Sequence, residues 1–362
     1  MTFSPDYVTA RTQFREAVKR LGWIAHQYPI AGIGPRGEDL SIDVAASAPP
    51  ATQPVLIISS GLHGVEGFLG SAVQLALLER WKRQKRLPEG LRCVLLHALN
   101  PHGFSWSRRS DADNIDLNRN FLLNGMEYNG DCEAYARFDG FLNPQHPPSR
   151  WDMFYLKASW LVARYGLPAL KQALVTGQHD FTKGLFFAGK GPSQTKTILQ
   201  EHMKSWIGSA TTVVHLDFHA GLGAWGTYKL IIDYPLSSGQ QDRLTRWFGA
   251  QAWEESDAKR ISYQPRGSLG HWCTAQNFAP EYLFAAVEFG TYSNIPVIAG
   301  LRAENQAHQW GRPDDPRTTR AKKQLRELFS PVSEEWRSRA LAQSFDLVEK
   351  AIDGVLGEAE PT

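Results

Sequence analysis

Two histidines and a glutamate, far apart in the chain, are of the residue types that hydrolytic zinc sites use. His63 and Glu66 stand in the glycine-rich run of residues 60–67, directly after a short apolar stretch. An imidazole and a carboxylate on one tight bend can converge on a single metal ion. The H-x-x-E spacing alone is more often a pair of unrelated surface or capping residues. A metal site therefore needs a third ligand from elsewhere.

Residues 213–221 offer that third ligand. His215, Asp217 and His219 alternate along this run, and alternate side chains of a strand share one face. Either histidine could be a hydrogen-bonded structural residue, and this is our interpretation of His215. His219 stands where the strand approaches a glycine, and we predict that it is a ligand. Two imidazoles and one carboxylate leave a coordination position for water, as hydrolytic zinc sites require.

Further motifs follow in a fixed order along the chain. Residues 100–103 read N-P-H-G, Arg108 and Arg109 come next, residues 116–120 read D-L-N-R-N, and residues 287–290 read V-E-F-G. Together with the H-x-x-E turn and the third histidine, this order resembles the zinc metallocarboxypeptidase (funnelin) superfamily, and in particular a bacterial branch of it. Five ordered motifs are far more specific than any one of them.

The resemblance implies roles for the residues around the metal. His63, Glu66 and His219 would hold one zinc ion per chain. Asp116 would accept a hydrogen bond from His63 and so fix the tautomer of that imidazole. Glu288 would take a proton from the attacking water and pass it to the leaving amine.

The resemblance also implies roles for residues that contact the substrate. Arg108 would stabilise the oxyanion as the scissile carbonyl becomes tetrahedral. Asn118 and Arg119 would bind the terminal carboxylate of the substrate, since a guanidinium group matches a carboxylate with two hydrogen bonds, and Arg109 is placed with them as a substrate-binding residue. Tyr263 would close over the bound substrate.

The expected activity is hydrolysis of a peptide or amide bond next to a free carboxylate, with a small peptide as the substrate. One alternative is a zinc amidase or deacylase that acts on N-acyl amino acids, because the same site serves such bonds. Another is a non-catalytic metal-binding or peptide-binding protein with this fold. His102 stands where the family usually has an aspartate, which bears on the substrate and leaves the metal ligands unchanged.

Two further motifs come close to known signatures and fail at one residue each. Residues 184–191 nearly spell a phosphate-binding loop, but Gly191 occupies the position that needs a serine or threonine. Residues 266–270 approach a nucleophile elbow, but Arg266 replaces the first glycine. We therefore expect neither nucleotide binding nor serine-hydrolase chemistry.

The elements that must position these residues can be read from apolar patterns. Buried strands are predicted over residues 54–59, 91–96, 212–218 and 228–233, and a helix over residues 70–86. The strand–helix–strand order predicts an α/β fold, a twisted and mostly parallel mixed sheet with helices on both faces. We expect a single domain over residues 1–362, with residues 124–207 as a helical insertion or lid and terminal helices within residues 318–356.

Composition limits the partners and the compartment. The chain has 362 residues, 39 of them basic and 37 acidic, mixed along its length, which gives no indication of a nucleic-acid or membrane surface. Three separated cysteines lack metal-ligand spacing and leave one thiol unpaired, which favours a reducing compartment. No run approaches a membrane-spanning length, and the N-terminus lacks an apolar leader. We therefore expect a cytoplasmic protein.

Overall fold

The central feature is a mixed sheet flanked by helices, seen in a computed structural model that describes residues 2–47, 53–84, 89–130, 133–166, 170, 176–256 and 266–358. The strands are β1 (Ile24–Ile33), β2 (Asp39–Ala46), β3 (Val55–Ser60), β4 (Arg92–His97), β5 (Thr212–Gly221), β6 (Tyr228–Ile232), β7 (Trp253–Glu255) and β8 (Glu281–Gly290). The helices are α1 (Tyr7–Leu21), α2 (Gly67–Gln84), α3 (Pro101–Ser105), α4 (Glu133–Ala136), α5 (Asp139–Leu142), α6 (Phe154–Tyr165), α7 (Gln194–Ile207), α8 (Ser238–Phe248), α9 (Leu269–Ala275), α10 (Asn294–Trp310), α11 (Pro316–Phe329) and α12 (Glu334–Gly357).

The strand order across the sheet is β1-β2-β4-β3-β5-β8-β6-β7. The four central strands β4, β3, β5 and β8 run parallel, whereas β2 and β6 join them antiparallel. From β3 the chain goes to β4 on one side and later returns to β5 on the other. The order reverses between β3 and β5, and open α/β sheets bind their ligands at the carboxyl ends of strands at such a switch point.

The central strands are buried because helices cover both faces of the sheet. Every residue of β3 is buried, as are all residues of β5 after Thr212. Helix α2 covers the face with Ser60 and Phe218, where Gly70 allows close contact. Helix α9 covers the opposite face, where Gly270 packs against Phe284. This two-sided burial explains the nearly continuous apolar runs in the sequence.

The predicted fold class is confirmed, and so are the four predicted strands, with bounds shifted by one to three residues. The predicted helix over residues 70–86 begins three residues earlier, and its last two residues lie outside the described part. The terminal helices within residues 318–356 are α11 and α12. Strands β1, β2, β7 and β8 were not predicted. In β1 most side chains are exposed, so its pattern is not that of a buried strand.

Residues 133–166 form small helices that pack apart from the main core. Tyr135, Phe138 and Leu142 belong to a separate apolar cluster with residues of α10 and α11. Helix α7, by contrast, contributes Leu199 and Met203 to the main core. The part of the predicted insertion that packs separately therefore ends before α7. No helix among the described residues is long and apolar enough to cross a membrane.

Candidate active site

The turn after β3 depends on close backbone contacts that only glycine allows. Gly61 has a φ of +66°, and a Cβ there would lie 3.1 Å from the Cβ of Ala98. Gly64 is packed more tightly, since a Cβ there would lie 2.1 Å from the carbonyl carbon of Gly103 in α3. These contacts hold the turn, with its histidine and glutamate, against the neighbouring strand end.

His63, Glu66 and His219 converge at the switch point between β3 and β5. One ligand atom from each lies within 4.8 Å of the others, and the three side chains are only 5%, 2% and 3% exposed. The Nδ1 atoms of His63 and His219 each lie 2.9 Å from a different carboxylate oxygen of Glu66. Two imidazole nitrogens and a carboxylate around one point are a donor set that zinc takes, so these residues fit the metal.

Each imidazole has a carboxylate at its other nitrogen. Nε2 of His63 lies 3.2 Å from Oδ1 of Asp116, and Nε2 of His219 lies 2.6 Å from Oδ2 of Asp217. At His219 the carboxylate keeps the proton on Nε2 and leaves Nδ1 free for a metal. At His63 the same nitrogen also lies 2.7 Å from Nη2 of Arg109, which can only donate, so Nε2 of His63 accepts from Arg109 in this structure. Asp116 is the residue to which the sequence resemblance gives this supporting role. Asp217 was not predicted in this role, although its alternation with His219 was the signal that could have identified it.

The charges at this point are strongly coupled. Burial alone would raise the pKa of Glu66, but the imidazoles of His63 and His219 outweigh burial and hold that pKa below its usual range. Burial would likewise raise the pKa of Asp116, whereas Arg109 and His63 lower it. Both carboxylates are therefore ionised at neutral pH, as metal binding and its support require.

Glu288 lies beside His219 in the pairing of β5 with β8. Its Oε1 accepts a hydrogen bond of 2.8 Å from the backbone N–H of Leu222. Burial, together with the negative charge of Glu66, raises the pKa of Glu288 to about 7. A carboxyl group with a pKa near neutrality can both accept and return a proton.

Arg108 and Arg109 are both held by backbone hydrogen bonds to the turn after β3, but their side chains point in different directions. The backbone N–H groups of Gly64 and Val65 donate to the carbonyl oxygens of Arg109 and Arg108, at 3.1 and 2.8 Å. Arg109 Nε donates to Oδ2 of Asp116 at 2.8 Å, and its Nη1 lies 3.8 Å from Oε1 of Glu66. Its guanidinium group thus lies against the candidate ligands.

Arg108 does not join this group. Its side chain is 1% exposed, and its Nη2 donates to Oδ1 of Asn114 at 2.9 Å and to Oδ1 of Asn305 at 3.3 Å. Its Nε lies 3.4 Å from Oε1 of Glu304. The arginine expected to stabilise the oxyanion is therefore paired in a buried cluster with α10, because neighbouring residues of this loop project in opposite directions.

Arg119 and Asn118 lie together in a short 3-10 helix, Leu117–Arg119. Arg119 Nη1 donates to the carbonyl oxygen of Asn118 at 2.8 Å, and its Nε has no hydrogen-bond partner among the described residues. Oδ1 of Asn118 accepts from the backbone N–H of Leu269 at 3.0 Å. Burial lowers the pKa of Arg119. A buried guanidinium group with an unused donor is suited to an anionic ligand.

Tyr263 lies outside the described residues, so the predicted closing residue has no structural description here. The segment that follows it packs on the 3-10 helix, because Phe121 N–H donates to the carbonyl oxygen of Gly267 at 2.9 Å. A Cβ at Gly267 would lie 2.2 Å from the carbonyl oxygen of Arg119. Gly267 thus lies directly over Arg119.

The two near-match motifs have structural surroundings of their own. Residues 185–187 are buried apolar side chains, and the next helix begins only after Ser193, so residues 184–191 do not form an open loop at a helix start. Ser268 is the N-cap of α9 and is buried.

Comparison with known proteins gives a family and a fold. The family model described as "Protein of unknown function (DUF2817)" matches residues 3–343. A search of curated proteins returned no match. Bovine thrombin-activatable fibrinolysis inhibitor, solved in complex with tick carboxypeptidase inhibitor, is 10% identical with a TM-score of 0.50, over 98% of this chain and 97% of that one. Carboxypeptidase A from Helicoverpa armigera is 12% identical with a TM-score of 0.46, over 89% and 73%. The fold is that of the zinc carboxypeptidases.

Proposed function

The chain belongs to the DUF2817 family, and we propose that it is a zinc-dependent hydrolase of the carboxypeptidase type, cleaving a peptide or amide bond next to a free carboxylate. The observation that carries this proposal is the convergence of His63, Glu66 and His219 at the switch point, with Glu288 beside them. Three protein ligands leave a coordination position open, which distinguishes a hydrolytic zinc site from a closed structural one.

The chain's own residues would hold one zinc ion through Nδ1 of His63, Nδ1 of His219 and the carboxylate of Glu66. Zinc, when bound, supplies Lewis acidity that polarises a scissile carbonyl and acidifies water. Asp217 accepts a hydrogen bond from Nε2 of His219, and Asp116 lies 3.2 Å from Nε2 of His63, so a carboxylate lies behind each imidazole.

Glu288 is the proposed general base. Its position next to His219 brings the carboxylate to the open side of the candidate ligands, and the Leu222 N–H fixes one of its oxygens. The second oxygen can accept a proton from water and return it to the leaving amine. The near-neutral pKa of this carboxyl group supports both steps.

Arg109 takes the role that the sequence resemblance gave to Arg108. Its guanidinium group is anchored by Asp116 through Nε, which leaves its Nη atoms directed toward the ligands. A fixed cationic donor at this place can stabilise the oxyanion that develops on the substrate carbonyl. Arg108, paired with Glu304 and two asparagines, serves the packing of α10.

Arg119 and Asn118 are the proposed receptors for the free carboxylate. Because Oδ1 of Asn118 already accepts from Leu269, only its Nδ2 hydrogens are available to a substrate, and a carboxylate accepts from these. Gly177 of the predicted insertion packs closely on Arg119, since a Cβ at Gly177 would lie 3.1 Å from Cδ of Arg119. We propose that the insertion forms a wall of the carboxylate pocket, and that Tyr263 closes it.

Small peptides and N-acyl amino acids both present a free carboxylate to Arg119, so the geometry is compatible with either class. A direct test measures zinc content and turnover on matched peptides and N-acyl amino acids, before and after chelation. We expect one zinc per chain, loss of turnover on chelation and recovery on adding zinc. His219→Ala should lose the metal, whereas His26→Ala, at an exposed position of β1, should keep it. Full zinc occupancy in His219→Ala would contradict the assignment.

A further inference from the structure

A line of buried polar side chains leads away from His219 into the sheet. Asp217 Oδ2 lies 2.6 Å from Nε2 of His219, and its Oδ1 accepts from Oγ of Ser59 at 2.6 Å. Ser59 Oγ lies 2.7 Å from Nε2 of His215, whose Nδ1 lies 2.9 Å from the hydroxyl of Tyr282. We call Asp217, Ser59, His215 and Tyr282 the polar chain. It crosses the three central strands β3, β5 and β8.

The protons of the polar chain can be assigned from donor and acceptor chemistry. An ionised carboxylate accepts at both oxygens, so Ser59 must use its one proton on Asp217. Ser59 Oγ can then only accept from His215, which requires a proton on Nε2 of that imidazole. A neutral imidazole has one N–H, so Nδ1 of His215 is an acceptor and Tyr282 donates to it.

Burial enforces this assignment. Ser59, His215 and Asp217 have no exposed surface, and Tyr282 is nearly as buried, so water cannot supply a missing partner. Burial lowers the pKa of His215 to about 4, which keeps this imidazole neutral near pH 7. The opposite tautomer of His215 would set its Nδ1 proton against the tyrosine proton and leave Ser59 with two competing acceptors. Unpaired buried polar groups are costly.

The hydrogen bonds consequently all run in one direction, from Tyr282 toward Asp217. Asp217 is then fully oriented by Ser59 on one oxygen and presents the other to His219. Replacing a whole buried polar network by apolar residues of similar shape is often nearly neutral for stability. The polar chain ends at a candidate metal ligand, because Asp217 contacts His219.

We propose that Ser59, His215 and Tyr282 are positioning residues that act through Asp217 to fix the Nε2–H tautomer of His219, keeping its Nδ1 lone pair available to a metal ion. This inference rests on the proposed function for its link to zinc. The proton assignment within the polar chain stands on the hydrogen-bond geometry alone. The two parts can therefore be tested separately.

The metal part is tested by zinc affinity, measured on the full-length protein in competition with a chromogenic chelator. Ser59→Ala should bind zinc about 10- to 100-fold more weakly, the range typical for loss of residues that support a ligand. Ser60→Ala is the matched control, since Ser60 is equally buried in the same strand but bonds to Gln74 and Leu96 on the other face. Equal affinity of the two variants would overturn the proposal.

Tyr282→Phe removes the far end of the polar chain without changing the packing volume. We expect weaker zinc binding than in the wild type, though less weakened than in Ser59→Ala. Tyr234→Phe is its control, because among the described residues the buried hydroxyl of Tyr234 bonds to the backbone of Phe284 and not to the polar chain. An equal loss of zinc affinity in both tyrosine variants would indicate a general loss of packing. It would contradict the proposed role of the polar chain.

The proton assignment is tested by imidazole 15N–1H correlation spectra of the metal-free wild-type protein. His215 should carry its proton on Nε2 and should lose that preference in Ser59→Ala. A proton on Nδ1 of His215 in the wild type would overturn the assignment whether or not zinc binds. Failure of the wild type to bind zinc would overturn the proposed function and the metal part of this inference, while the spectra would still decide the direction of the hydrogen bonds.

Discussion

Glu288 stands directly opposite His219 in the parallel pairing of β5 with β8. The sheet itself therefore fixes the separation between a candidate ligand and the candidate base, and no loop has to close to bring them together. Glu288 is partly exposed whereas His219 is buried. The base can thus meet water while the ligand is shielded from it.

Glu288→Gln should abolish turnover and leave zinc content unchanged. Glutamine keeps the size of the side chain but cannot accept a proton, and general-base catalysis contributes about 10²- to 10⁴-fold. The measurement is kcat beside metal analysis of the same sample. Glu281→Gln, at the exposed start of the same strand, is the control and should behave as the wild type. Wild-type kcat in Glu288→Gln would remove this residue from the mechanism.

The adjacent arginines should differ in their effect on kcat. Arg109→Ala should lower kcat per folded molecule by about 10²- to 10³-fold, the loss typical for one oxyanion donor, and should also lower the melting temperature because the buried Asp116 loses its cation. Arg108→Met should lower the melting temperature, because it leaves Glu304 with Lys322 as its remaining ion-pair partner, and should keep kcat per folded molecule. The reverse pattern would restore Arg108 as the oxyanion residue.

Arg119→Ala should raise KM only for substrates with a free carboxylate. A hydrogen bond to a charged group contributes about 1.5 to 3 kcal/mol, so KM should rise about tenfold or more. The same peptides with amidated C-termini should show no such rise. Arg266→Ala is the control, because Arg266 is an exposed cation next to Gly267, which packs on Arg119. Equal losses on free and amidated peptides would indicate that Arg119 serves the structure.

The protein should lose stability as the pH falls below about 6.5, partly through His97. Burial lowers the pKa of this fully buried imidazole to about 4. Because the folded-state pKa is below the unfolded value, the stabilising contribution is present above pH 6.5 and is lost as the pH falls toward 4. Between pH 7 and 5 this loss is about 2 kcal/mol for one such histidine.

His97→Gln should make the free energy of unfolding less dependent on pH over that range. Chemical denaturation of metal-free protein at pH 7 and pH 5 measures the difference, with His26→Gln as the exposed control. The absolute stability of His97→Gln is expected to be lower at both pH values, since His97 packs against Phe14 with ring centroids 4.5 Å apart. An unchanged pH dependence would show that His97 titrates normally.

Sequence patterns were sufficient where a residue's place follows from one local rule. The ligand positions of His63, Glu66 and His219 follow from strand ends and glycine-rich turns, and these three residues do converge. The sequence resemblance gave the oxyanion role to Arg108, whereas the structure places Arg108 against Glu304 and Asn305 of α10. Which of two neighbouring arginines faces α10 depends on long-range packing that a local pattern does not show. The contact between Asp217 and His219 follows from the same alternation. Two residues that alternate along a strand share a face, so a carboxylate there can accept a hydrogen bond from the histidine.

Other features depended on long-range packing. Strands β1 and β2 pair with each other and then join β4, and neither their partners nor their edge position can be read from alternation within ten residues. Helix α7 looked like part of the insertion by its position in the chain, but Leu199 and Met203 pack in the main core. Helix α7 is therefore next to the small helices in sequence but does not pack with them.

The reversal of strand order between β3 and β5 also has a consequence for assembly. A nascent chain that has extended only as far as β4 already carries His63 and Glu66, yet it lacks the third coordinating side chain until β5 has been synthesised and has inserted beside β3. High-affinity zinc uptake would thus follow pairing across the middle of the sheet and could not guide its early steps. Acquisition of the ion would mark the pairing of β5 with β3, and from then on it would resist separation of these strands by mass action.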